Sequence, residues 1–205
     1  MEPPTDLGRR ERRKLETRAR IVGAAAELFI ERGFATTKVA DICDRVDIAH
    51  KTFFNYFPSK QHLLREIAQE ALGELCAQIE TARKEEDSTA ERLLYFFQNT
   101  AERAEQAGPM NRELLSELVH VVNESSDKST HARKLHDAFA EIVRDGLEAG
   151  EVTKEHGPET LTEMILGAYY VLMFNYANLD NYSIQQHAGA VARFLGDAIA
   201  PPAEI

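Results

Sequence analysis

His50, Lys51, Thr52, Asn55 and Tyr56 stand within one short segment that contains no acidic residue. Lys51 can donate to guanine O6 and N7 or to a phosphate. His50 and Asn55 can hydrogen-bond base edges, Thr52 can offer its methyl to thymine, and Tyr56 suits a phosphate oxygen. Ile48, Phe53 and Phe57 recur around them at helical spacing and would turn inward, leaving the polar set outside. This is the chemistry of a helix that reads a groove of duplex nucleic acid. The same side chains would equally suit an ordinary solvated helix face, so the elements that carry them have to be considered.

Those elements read as helices throughout. A first helix is expected from Glu11 to Arg32, with Ile21, Ala25, Leu28 and Phe29 on one face and Gly33 as its stop. A second runs from Lys38 to Val46, with Thr37 as its cap and Val39, Ile42, Cys43 and Val46 inside. The third covers His50 to Tyr56, and Pro58 prevents its continuation. Ser59 then caps a long fourth helix that reaches Arg83. Further helices are expected at 89–106, 111–122, 129–149, 158–179 and 183–199, with no strand-like alternation anywhere. The fold class is therefore all-α. A three-helix head at 1–62 with a helix-turn-helix precedes a larger helical body at 63–205, about nine helices in total.

Charge divides along the same line. Residues 1–62 carry 12 Lys and Arg against 9 Asp and Glu, a balance of +3; the remainder carries 12 against 25, or −13. Such a head can approach a polyanion that the body would repel. The basic run Arg9-Arg10-Glu11-Arg12-Arg13-Lys14 forms an arm, with Arg12 and Arg13 as candidate DNA contacts. It suits insertion into the minor groove or a backbone contact, and equally a solvated helix start. No apolar run approaches the roughly 20 residues that span a bilayer. The charged N-terminus lacks the apolar stretch of a secretory signal. A cytoplasmic protein is expected, with Cys43 and Cys76 as two reduced thiols.

Residues 17–64, TRARIVGAAAELFIERGFATTKVADICDRVDIAHKTFFNYFPSKQHLL, resemble the N-terminal domain of TetR-type transcriptional regulators. The shared features are the Thr-Arg start, the Ala-rich helix ending Leu-Phe-x-x-x-Gly-Phe, and Thr37 before an apolar helix. The aromatic string before Phe-Pro-Ser-Lys and the Leu63-Leu64 pair complete the set. The resemblance implies a homodimer, a palindromic double-stranded DNA operator and a small-molecule effector held in the body. Lys60 at the start of the fourth helix, and Thr37 and Lys38 at the start of the second, are further candidate phosphate contacts. The chain departs from the pattern in the turn, where Asp47 stands for the usual glycine, and at Ala40, Ala49 and Phe54. These changes bear on the operator sequence rather than on the fold.

For the body, the last two helices are the dimer candidates, through Ile165, Ala168, Leu172, Val191, Ala192, Leu195 and Ile199. Candidate pocket residues are Phe96, Asn99, Arg112, His120, Tyr169, Tyr170, Met173 and Phe174. Aromatic and Met residues at this spacing also suit plain core. Glu117 and His120 match one Glu-x-x-His pair, but a di-iron bundle needs a second pair and two further Glu residues. No second pair is present, so neither an enzyme nor a metal or other cofactor is expected. The competing reading within the same fold is a DNA-bound adaptor controlled by a protein partner, although the sequence marks no exposed apolar patch for one.

Overall fold

The computed structural model describes residues 8–108, 110, 113–114 and 130–202. Among these there are eight helices and no strand: α1 (Arg9–Arg32), α2 (Val39–Val46), α3 (His50–Tyr56), α4 (Lys60–Glu85), α5 (Thr89–Ala107), α6 (Thr130–Ala149), α7 (Pro158–Asn178) and α8 (Ile184–Ile199). The helix expected at 111–122 lies almost wholly outside the described residues, so eight stand where about nine were expected. Contacts divide the chain into two compact units, Met1–Ile67 and Ala68–Ile205.

In the first unit α1 buries Ile21, Val22, Ala24, Ala25, Leu28 and Phe29, a stripe recurring every three to four residues. It stops at Gly33, whose φ of 82° is open to glycine at little cost. The helix begins at Arg9, so the basic run is its first turns and not a separate arm. Asp41 accepts the Lys38 backbone N–H at 2.8 Å, which satisfies one free donor at the start of α2. The α2–α3 turn passes through Asp47 at φ 53°, ψ 60°, the left-handed conformation the family pattern assigns to glycine. Asp is among the few other residues that visit it routinely. At the start of α4 the Ser59 hydroxyl accepts from the His62 N–H at 3.3 Å, as expected of its cap.

In the second unit α5 lies along α8, α6 packs on α7 and α5, and α7 packs on α8. Phe96 stands at the centre, edge-on to Phe97 and Phe139 at centroid distances of 5.5 and 4.9 Å and tilted against Tyr169 at 5.8 Å. The α6–α7 turn is tied down from both sides. Glu151 accepts from the Thr89 backbone N–H and hydroxyl, each at 2.7 Å, and the Thr153 N–H donates to the Ile199 carbonyl at 2.7 Å. Both hydrogen bonds from Thr89 hold the Glu151 carboxyl below its ordinary pKa.

Arg83, near the end of α4, forks onto Asp145 of α6 at 2.7 and 3.2 Å and also reaches Glu141 at 3.3 Å. The hydrogen bond from Arg83 holds the Asp145 carboxyl below its ordinary range. A depressed folded pKa gives stability that is complete above the carboxylate range and fades as pH falls through it. Asp145→Asn is therefore expected to cost up to about 1 kcal/mol at pH 7. Denaturant unfolding at pH 7 and at pH 3 should show that difference shrinking at the lower pH.

Candidate nucleic-acid interface

A seven-residue helix has little stability of its own, so α3 depends on what holds it. Phe53 and Phe57 are fully buried beneath it, tilted against each other at 5.9 Å, while Ile48 is half-buried at its approach. Arg18 of α1 stacks on the Phe57 ring at 4.5 Å and donates from its Nη1 to the Tyr56 carbonyl at 3.4 Å. The same guanidinium is paired with Glu66 of α4, with Nε to Oε1 at 2.8 Å. One side chain thus joins α1, the end of α3 and α4.

What α3 leaves outside is the expected polar set. His50, Lys51 and Asn55 are exposed, and Thr52 and Tyr56 are half-buried. Phe54 is exposed among them. Beside this face runs a groove lined by Gly8, Arg10, Glu11, Arg13, Lys14, Thr17, Thr52, Asn55 and Tyr56. Positions 10, 13, 14 and 17 form one face of α1, and 52, 55 and 56 one face of α3. Three cations against one carboxylate make the groove electropositive. Arg12 is on a different face of α1 and pairs with Glu16 at 3.6 Å. The structure therefore brings Arg13 to the recognition face and leaves Arg12 out, while Arg10, Lys14 and Thr17 join it. Helical phase read from Arg9 onward would have separated them; an arm without periodicity could not.

Two expected DNA contacts are turned inward. Thr37 is 1% exposed and its hydroxyl donates to the Gly33 carbonyl at 2.8 Å. Lys38, which stays exposed, occupies the cap position of α2 instead. Lys60 donates to the carbonyls of Phe34 and Thr37 at 2.5 and 2.8 Å, with its ammonium 4.1 Å from the centre of the Phe34 ring. Burial lowers its pKa. These carbonyls are free at the loop before α2, and the ammonium satisfies them more locally than a phosphate could.

Residues 21–67 match the family model described as bacterial regulatory proteins, tetR family. The N-terminal unit belongs to the TetR family. Its helix-turn-helix is a DNA-binding module, of which α3 is the second helix. Over 144 residues the chain is 28% identical to the HTH-type transcriptional repressor KstR of Mycolicibacterium smegmatis, covering 69% of each protein. Among solved structures, FadR from Bacillus subtilis in complex with stearoyl-CoA aligns with a TM-score of 0.69 at 19% identity, over 88% of this chain and 98% of that one. FadR from Thermus thermophilus in complex with lauroyl-CoA aligns with a TM-score of 0.62 at 24% identity, over 87% and 92%. At these identities the likeness is one of fold.

Behind the TetR-type head, the second unit rearranges the other expectations. Ile165, Leu172, Ala192, Leu195 and Ile199 are buried within this unit's own core, and Ala168 and Val191 pack against it. The five buried side chains are closed off inside one chain, whereas Ala168 and Val191 are only partly buried. The exposed apolar residues of the same two helices are Met164, Tyr170, Val171, Phe174 and Phe194, with Phe194 at 70% and Phe174 at 63%. Of the pocket candidates, Phe96, Tyr169 and Met173 are interior, while Tyr170 and Phe174 face outward. Asn99 is half-buried and donates to the Tyr95 carbonyl at 2.9 Å. Arg112, Glu117 and His120 lie outside the described residues. Among the described residues, no cluster of three or more His, Cys, Asp or Glu could hold a metal ion, and no helix is long and apolar enough to cross a membrane. Both cysteines are free thiols, and burial raises the pKa of each.

Lys60→Ala should remove two charge-assisted hydrogen bonds and a cation–π contact, costing about 1–3 kcal/mol of head stability. The slope of log K against log salt for DNA binding should stay as in the wild type. A backbone contact would instead take about 0.9 from that slope.

Proposed function

We propose that the protein is a homodimeric transcriptional repressor that holds a palindromic operator with two copies of α3 and is released by a small molecule bound in its second unit. The observation that carries this reading is the exposed polar face of α3, fixed from below by Phe53 and Phe57 and continued by the cationic face of α1. Lys51, Asn55 and His50 are the base-reading residues. Arg10, Arg13, Lys14 and Tyr56 serve the phosphate backbone, which sets register and affinity. Lys38, exposed at the start of α2, is a further backbone contact.

One short helix per subunit gives little affinity, and two copies about one helical turn apart (roughly 34 Å) supply the rest. The apolar residues Met164, Val171, Phe174 and Phe194 suit an isologous contact made by α7 and α8 of two copies. The family's ligand-bound structures support a small-molecule effector, since two FadR proteins of this fold are in complex with stearoyl-CoA and lauroyl-CoA. An effector acts here by preferring one conformation of the second unit over another. The helix that continues into both units is α4.

The reading is tested by comparing inverted-repeat duplexes with random duplex at moderate ionic strength, and a protein without preference would refute it. Lys51→Ala or Asn55→Ala should each cost about 1–3 kcal/mol on the preferred site and relax its sequence. The triple change Arg10→Ala, Arg13→Ala and Lys14→Ala should lower the salt slope by about 2–3 and weaken all sequences alike, with Arg12→Ala leaving the slope unchanged. Val171→Asp with Phe194→Asp should yield a monomer in sedimentation and lose operator affinity.

A further inference from the structure

Phe54 is 52% exposed, and among the described residues it is the one Phe or Tyr of the first unit left open to solvent. Its ring meets the fully buried Phe53 edge-on, at a centroid distance of 5.3 Å and an interplanar angle of 85°. Phe53 in turn lies against Phe57 at 5.9 Å, so the exposed ring rests on the core of the head. At about 100° per residue, position 54 is next to 50 and 51 on the helix surface and about 160° round from 52. The outward face of α3 therefore has two halves. Thr52, Asn55 and Tyr56 line the cationic groove beside α1, whereas His50, Lys51 and Phe54 lie outside it.

We infer that Phe54 is a specificity-determining residue, and that its ring packs on the 5-methyl group of a thymine in the operator. This rests on the reading above that α3 holds the operator, and it names a base feature that the polar side chains of α3 do not read. A phenyl ring carries neither donor nor acceptor, so it serves no phosphate oxygen and no hydrogen-bonding base edge. Of the groups that base pairs present in the major groove, the thymine methyl is the apolar one, and Phe is among the side chains that contact it. Packing the two together removes apolar surface from water on both sides. The ring is already placed by Phe53, so little side-chain freedom is lost when it binds. Its neighbours point to a base edge rather than the backbone. His50 and Lys51, exposed on either side of it, can donate to the base edges around a methyl group. The cations suited to the phosphates, Arg10, Arg13 and Lys14, line the groove along the other half of the face.

The test removes the methyl from the DNA as well as the ring from the protein. In the inverted-repeat duplex that the full-length protein prefers, thymines are replaced by deoxyuridine, one symmetry-related pair at a time. At one such pair wild type should lose about four-fold in affinity per half-site, or roughly fifteen-fold for both. Phe54→Ala should bind the thymine duplex more weakly by a similar factor and be indifferent to deoxyuridine at that pair. Thermal unfolding of the variant checks that the head stays folded, and the substitutions read by wild type need no variant. Wild type indifferent to deoxyuridine at every position would overturn the inference while leaving an operator-binding protein. So would a methyl preference that persists in Phe54→Ala, because another side chain, such as Thr52, would then be reading the methyl. Equal weakening of thymine and deoxyuridine duplexes by Phe54→Ala, with the preference kept, would overturn it as well. A wild type that prefers no inverted repeat would overturn the inference together with the reading on which it rests.

Discussion

The outward polar face of α3 depends on Arg18, which holds a seven-residue helix that could not hold itself. Its guanidinium lies on Phe57, donates to the last carbonyl of α3 and is paired with Glu66. Phe53 and Phe57 provide the burial, but apolar contact alone does not fix the angle at which a short helix leaves its support. The planar, multidonor guanidinium adds direction, and a point charge such as lysine would not. The exposed face of α3 is therefore defined by a residue that sits more than thirty positions earlier in the chain.

The helical content and the order of elements were legible because amphipathic periodicity is strong in α1, α2 and α5, and because Gly33, Pro58 and Ser59 interrupt it at the observed boundaries. The outward set on α3 was legible for the same reason. Thr37 and Lys60 show where this kind of inference ends. Both are of the right type and stand beside α3, but the carbonyls of Gly33, Phe34 and Thr37, in the loop between α1 and α2, take their donors. Sequence spacing does not reveal which carbonyls a loop leaves open.

The second unit hid more. In α7 apolar residues occupy almost every direction around the helix, so periodicity cannot distinguish the face that closes the core from the face left exposed. Ile165, Leu172 and their counterparts in α8 proved to be inside, and Val171, Phe174 and Phe194 outside.

Lys60 and Glu66 also determine which parts of the first unit can shift independently. Lys60 fastens the opening residue of α4 to the loop that follows α1, and Glu66, nearly two turns later, fastens it to Arg18. Between them Leu63 and Leu64 are buried. The leading turns of α4 are thus riveted into the head at two points, so torque applied to them rotates α1, α2 and α3 as one block rather than swinging α3 alone.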